Sequence, residues 1–133
     1  MEKWRRVWRE GFVPNFSEAG LCALLSGLIN NDGRLLQGLS FAPPPLAEWS
    51  ECAVEGACAI SYTGWRGESR ETIGELEQYF NEICERADAV FSEPAACRFF
   101  FNWYDDTPRE IMRRELLAEV TLALRGKLES IAA

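Results

Sequence analysis

The longest regular pattern in the chain is Ile73, Leu76, Phe80, Ile83, Ala87 and Val90, spaced alternately by three and four, with Cys84 and Phe91 beside them. That spacing puts one apolar stripe along one side of an α-helix. Thr72, with Glu75 three residues later, has the form of a capping box, which serves N–H groups that the first turn leaves unpaired. The opposite side carries Glu71, Glu75, Gln78, Glu82 and Glu85, an acidic stripe, with Arg86 placed to pair with Glu82 at i, i+4.

A second helix follows from Leu21, Leu24, Leu25, Leu28 and Ile29. Ser17 is its N-cap, Glu18 stands in the favoured first turn, and Asn31-Asp32-Gly33 ends it as a turn. Gly20, Ala23 and Gly27 lie along one of its sides and allow close approach of a neighbour, for which Ala53, Gly56 and Ala57 are the candidates. At the N-terminus Trp4, Val7, Trp8 and Gly11 oppose Lys3, Arg5, Arg6 and Arg9, and Pro14 closes the segment. We read a two-turn amphipathic helix with its tryptophans on the core, in preference to a nucleic-acid patch or an interfacial membrane anchor.

Ser92-Glu93-Pro94 reads as the start of another helix, carrying Cys97-Arg98-Phe99-Phe100-Phe101-Asn102-Trp103-Tyr104. Apolar on nearly every side, that helix belongs at the centre. Thr107, Pro108 and Glu110 form a second capping box, opening a last helix whose apolar face is Met112, Leu116, Leu117, Val120, Leu124, Leu128 and Ile131.

Two stretches break the periodicity. Residues 34–49 hold Pro43-Pro44-Pro45, which imposes an extended conformation. We expect a strap across the helices with Leu35, Leu36, Leu39, Phe41 and Leu46 in grooves, the alternative being a ridge displayed to a partner. Residues 54–62 keep helical spacing through Val54, Ala57, Cys58, Ser61 and Tyr62, with a strand through 59–62 as the alternative. The expected fold is all-α: one domain over 1–133, a small bundle of about five helices crossed by a Pro-rich extended strap.

Composition narrows the function. With 133 residues, 47% apolar and 26% charged, the chain can bury a core without a metal or disulfide staple. Fourteen basic against 21 acidic residues give a net charge of −7, which argues against direct nucleic-acid binding. Histidine is absent, which removes Ser-His-Asp triads, Cys-His dyads and mixed Cys/His zinc sites. Neither a Gly-x-Gly-x-x-Gly motif nor a phosphate loop of the Walker type occurs. The five cysteines, Cys22, Cys52, Cys58, Cys84 and Cys97, form no Cys-x-x-Cys pair and read as small buried hydrophobes, with a Cys52–Cys58 redox pair as the sharper alternative. No apolar run has the length of a signal peptide or membrane span, so the expectation is a cytoplasmic protein with no membrane partner.

Candidate chemistry gathers at Phe101-Asn102-Trp103-Tyr104-Asp105-Asp106-Thr107-Pro108-Arg109. Asp105 and Asp106 are a pair of hard oxygen donors, Arg98 and Arg109 suit an anionic ligand, and Trp103 and Tyr104 offer aromatic faces. The competing reading is structural, since Asp105, Asp106 and Thr107 are ideal residues for joining two helices. The run Asp105-Asp106-Thr107-Pro108-Arg109 is similar to segments in short helical modules of some large bacterial proteins, a resemblance of five residues that capping explains and that implies no activity. No residue is assigned to catalysis, and no metal or other cofactor is expected. The leading expectation is a small acidic protein that binds another protein, a basic one, as adaptor, inhibitor or assembly subunit, with Glu71, Glu75, Glu82 and Glu85 as its contact residues; homo-oligomerisation stays open. A small-ligand or divalent-metal site at Arg98, Trp103, Tyr104, Asp105, Asp106 and Arg109 is the alternative.

Overall fold

A computed structural model of the chain describes residues 1–39, 41–42 and 50–132. The fold is all-α, with six α-helices among the described residues: α1 (Lys3–Arg6), α2 (Glu18–Ile29), α3 (Ala59–Tyr62), α4 (Ile73–Phe91), α5 (Arg98–Asp106) and α6 (Arg109–Ala132). Helix α1 runs on into a π turn, Val7–Phe12, and a 3-10 turn, Val13–Asn15, while α3 runs on into a second π turn, Thr63–Gly67. Among the described residues one small sheet pairs β1 (Phe41–Ala42) with β2 (Gly56–Ala57), antiparallel, Phe41 opposite Ala57.

Aromatic side chains fasten the N-terminal segment to α5. Phe100, fully buried, has Trp4, Trp8 and Phe12 on one side and Phe101, Trp103 and Tyr104 along its own helix, with ring centroids 5.4–6.4 Å away. Trp4 also stacks on Trp103 at 3.5 Å and 4°. Such pairs add to the area each ring buries. The tryptophans of the first helix therefore lie on the core, as its amphipathic pattern predicts, but α5 is not central as expected. It buries Phe100 and Tyr104 on one side and leaves Arg98, Asn102, Asp105 and Asp106 exposed on the other, because its polar residues break the apolar run at helical spacing.

Helix α2 begins where its cap predicts, with the Gly20 N–H donating to Ser17 Oγ at 2.9 Å. It ends in a Schellman motif. Asn31 takes the left-handed conformation, and the Asp32 N–H reaches back to the Gly27 carbonyl at 3.0 Å. Its small-residue side meets a different neighbour from the one expected. Gly67 lies so close to Gly20 that a Cβ on Gly67 would stand 2.3 Å from the Gly20 Cα, and a Cβ on Gly27 would strike the Tyr62 ring. The close-packed partner is thus α3 with its π turn, whereas residues 53–57 run extended beside 34–36 and 71–72. There the Ala57 N–H donates to the Arg34 carbonyl, the Leu36 N–H to the Ala57 carbonyl and the Val54 N–H to the Glu71 carbonyl. Neither alternative for 54–62 holds throughout, because strand gives way to helix at Cys58.

Helix α4 has the predicted cap, Thr72 accepting from the Glu75 N–H at 3.3 Å and donating to the Glu75 carboxylate at 2.9 Å. Its buried face is Ile73, Leu76, Tyr79, Ile83 and Ala87; Phe80 is half-buried and Val90 is exposed. Ser92-Glu93-Pro94 does not start α5. Ser92 is left-handed and closes α4 in a second Schellman motif, its N–H on the Ala89 carbonyl and that of Glu93 on the Asp88 carbonyl. The N–H groups of Ala95 and Cys97 instead donate to the Asp88 carboxylate, at 3.0 and 2.9 Å. Thr107 turns its hydroxyl back to the Trp103 carbonyl, so the second capping box is not made.

On α6, Met112, Leu116 and Val120 are buried, Leu124 is half-buried and Leu128 is 55% exposed. Of the strap, Leu35 is buried, Leu36 half-buried and Leu39 exposed; Pro43-Pro44-Pro45 and Leu46, like the side chain of Phe41, lie outside the described residues. The cysteines divide as well. Cys52 and Cys58 are buried and Cys84 and Cys97 half-buried, but Cys22 is exposed, because it sits on the outward side of α2.

One buried acid ties the first segment to the last helix. Glu119, 2% exposed, accepts from Arg5 Nη1 and from Arg9 Nε and Nη2, each at 2.8 Å. Burial alone would raise its carboxyl, but the hydrogen bonds from Arg9 and Arg5 outweigh it and hold it below the ordinary value. Glu119→Gln keeps the shape and removes the charge; it should cost about 2 kcal/mol in urea unfolding followed by tryptophan fluorescence. A carboxyl lowered on folding stabilises above its unfolded value, about 4.3, and loses that contribution as pH falls through the folded one. The gap between wild type and variant should therefore be full at pH 7 and close below about pH 4.

Candidate functional site

The residues of the aromatic-acidic box serve the chain's own backbone. Tyr104, fully buried near the end of α5, donates its hydroxyl to the Leu36 carbonyl at 2.6 Å, and burial pushes that phenol far above its usual value. Asp105 accepts from the Gly38 N–H at 2.7 Å. Gln37 completes the seam by donating to the carbonyls of Tyr104 and Thr107, at 2.7 and 2.8 Å. Arg109, on the first turn of α6, donates to the carbonyls of Leu35 and Asp32 and to Asn31 Oδ1, at 2.6, 2.9 and 3.0 Å. Tyr104, Asp105 and Arg109 thus converge on residues 31–38.

The other box residues do not join them. Trp103 is committed to Trp4, while Asp106 and Arg98 are exposed. Among the described residues no group of three or more Cys, Asp or Glu is arranged to hold a metal ion.

The acidic stripe is displayed as its spacing predicts. Glu75 and Glu85 are exposed and Glu82 half-buried along the solvent side of α4, while Glu71, also exposed, lies before the Thr72 cap in the segment paired with Val54. None of these four carboxylates is in an ion pair among the described residues. Glu82 accepts from Gln78 at 3.4 Å in place of the expected Arg86.

A polar cavity of about 480 Å³ lies where the sequence offered no motif, between the end of α2 and the Thr63–Gly67 π turn. Ser26 and Asn30 come from α2, Asp32 and Arg34 from the turn after it, Tyr62 from α3 and Arg66 from the π turn. Asp32 accepts from Tyr62 Oη at 2.7 Å and from Arg34 Nη2, Nε and N at 3.0–3.1 Å. The Arg34 hydrogen bond is the main force holding the Asp32 carboxyl well below the usual carboxylate range. Tyr62 is pushed up to about 12, by burial first and by the Asp32 carboxylate second. The members are about thirty residues apart in two groups, and only the turn chemistry at Asn31-Asp32-Gly33 marked one of them in the sequence.

If the box is a structural joint, stability should follow its hydrogen bonds. Arg109→Ala should cost about 3 kcal/mol and Tyr104→Phe about 1–2 kcal/mol, because each leaves half-buried or buried carbonyls without donors. Asp106→Ala should stay within about 0.5 kcal/mol of wild type. Urea denaturation of the three variants checks the order.

Comparison with known proteins finds no match for this chain, whether among family models, curated proteins or solved structures.

Proposed function

We propose that this protein is a small protein-interaction module, without catalytic activity of its own, that docks a basic partner on the exposed side of α4. The observation that carries the proposal is the unneutralised row formed by Glu71, Glu75, Glu82 and Glu85. The arginines of the first segment are spent elsewhere, Arg5 and Arg9 on Glu119 and Arg6 on Glu10. The opposite side of α4 is anchored by Ile73, Leu76, Tyr79, Ile83 and Ala87. A helix held in that way presents Glu82 and Glu85 as i, i+3 neighbours and Glu75 about 10 Å further back, two turns along the same side, on a backbone that is ordered before binding.

Charge complementarity of this kind raises the association rate and selects partners by sign. It favours a basic protein surface and disfavours nucleic acid. It also disfavours a second copy docked stripe against stripe, where like charges would face each other. A cytoplasmic location belongs to the same proposal, since five cysteines without a Cys-x-x-Cys pair do not read as a secreted disulfide framework.

Glu75→Lys combined with Glu82→Lys tests this surface. A complex isolated from the native host and weighed by native mass spectrometry should weaken at least about tenfold in the double variant, equivalent to about 1.4 kcal/mol. Wild-type binding should weaken as salt is raised. A partner held equally well by the reversed stripe sinks the proposal.

A further inference from the structure

The cavity beside Tyr62 brings two guanidinium groups to one indole. Trp65 is almost fully buried, and Arg34 and Arg66 lie over its ring at 5.4 and 5.2 Å from the centroid. The two arginines are in different states. Arg34 is neutralised by Asp32, whose Oδ1 takes the Arg34 N–H and Nε and whose Oδ2 takes Nη2. The remaining strong donor on that carboxylate is Tyr62 Oη. Asp32 is therefore saturated from within the fold, and its work is to hold Arg34 and Tyr62 in place. Arg66 is exposed and in no ion pair among the described residues.

The side chains lining the cavity carry two positive charges and one negative, a surplus of one on a protein whose net charge is −7. A positive hollow kept in an acidic chain calls for an anion. The donors specify which kind. A guanidinium presents its N–H groups in a planar fork that matches the oxygens of phosphate or carboxylate. Phosphate has more oxygens and more charge than carboxylate, enough to meet the fork of Arg66 together with the N–H groups that Arg34 keeps after Asp32 has taken its Nε and one from Nη2. The rest of the lining is polar rather than greasy: Ser26 and Asn30 stand together, Asn30 Nδ2 donating to Ser26 Oγ at 3.2 Å, and the Tyr62 phenol closes the floor. At about 480 Å³ the space exceeds what a bare phosphate ion fills, and its hydroxyl and amide groups suit a hydroxylated remainder.

Two features of the fold maintain this arrangement. Gly27 has no side chain where the Tyr62 ring crosses α2; a Cβ there would stand 2.7 Å from Tyr62 Oη. Behind the turn, Arg109 fixes the Asp32 and Leu35 carbonyls from the α6 side. Backbone and floor are thus set before any ligand arrives, which lowers the ordering cost of binding. The π turn carries Arg66 over this hollow, and π turns recur at functional positions in helices.

We propose that this cavity binds the phosphate group of a small hydroxylated molecule, with Arg66 as the principal contact and Arg34, oriented by Asp32, as the second. The site is separate from the α4 surface and does not depend on it.

The test is a titration of the ¹⁵N-labelled protein, read by amide chemical shifts, with three probes: inorganic phosphate, glycerol 3-phosphate and acetate, at matched ionic strength. Saturable shifts confined to residues 26–34 and 62–67 are expected with both phosphates, tighter with glycerol 3-phosphate, and not with acetate. Arg66→Gln should bind inorganic phosphate at least about tenfold more weakly, the loss of one charge-assisted fork. Arg66 is exposed, so the variant should fold, and its own amide spectrum shows whether it does. Arg86→Gln on α4, which removes the same charge from elsewhere on the surface, should bind as wild type does. The proposal is overturned by an absence of saturable shifts in the two segments with either phosphate. It is equally overturned by unchanged affinity in Arg66→Gln, by equal loss in Arg86→Gln, or by acetate binding as well as phosphate.

Discussion

The end of α2 is where this fold is locked, and two arginines of α6 lock it. A helix leaves its last carbonyls without partners inside the helix, and their dipoles favour a cation there. Arg113 donates to the Leu28 and Ile29 carbonyls, at 3.0 and 3.2 Å. One turn earlier on α6, Arg109 serves Asp32, Leu35 and the Asn31 side chain. Every element around this point depends on them. The carbonyl of Leu36, held in line, receives the Tyr104 hydroxyl and so places α5; the carbonyl of Arg34 receives the Ala57 N–H and so places the extended segment before α3. The turn that Arg109 grips from behind is also the turn that puts Asp32 and Arg34 into the polar cavity in front.

What was legible in the sequence was local. Ser17 and Thr72 cap α2 and α4 at the expected residues, because a cap needs only a hydroxyl and an N–H three positions on. The starts of α5 and α6 were harder for the same reason. Ser92 and Thr107 have the chemistry of N-caps, yet Ser92 ends a helix and Thr107 bonds backward to Trp103. For α5 no side chain caps the first turn: the N–H groups of Arg98, Phe99 and Phe100 go to the carbonyls of Ala95, Ala96 and Cys97, and Asp88, on the preceding helix, holds the turn before them through bonds spanning seven and nine residues. Such competition between local and slightly longer-range donors is decided by packing, which the pattern of residue types does not contain. Residues 54–62 illustrate the limit differently. Their helical spacing is real only from Ala59, because Ala57 is taken into backbone pairing with 34–36 and Phe41.

The candidate sites were legible in unequal measure. The acidic stripe follows from period alone, and α4 displays it. The box at 101–109 was visible as a concentration of chemistry, but its donors are aimed at carbonyls that the sequence places about seventy residues away. The polar cavity was not visible at all. Asp32, Arg34, Tyr62 and Arg66 are ordinary residues in two unremarkable segments, and their relation comes from Gly27 and Gly67, which let α2 and the π turn approach until side chains on both share one hollow.

An anion site on an acidic protein raises an electrostatic question that distance decides. At physiological salt, charges are screened over about 8 Å, so a remote surplus of carboxylates weighs little against groups in contact with the ligand. Within that range the cavity contributes Arg34, Arg66 and one carboxylate that is already fully bonded. Burying Trp65 beneath the guanidiniums adds to this, since the ring's negative face holds Arg66 near the hollow without cancelling its charge, as the Asp32 carboxylate does for Arg34. Arg66 thus stays within reach of the hollow and available to an anion. The same reasoning separates the two surfaces. On α4 the carboxylates are in no ion pair among the described residues, and in the proposed complex their combined field would act on a large basic surface that engages several at once. A small anion, in contrast, is recognised by the few groups it touches.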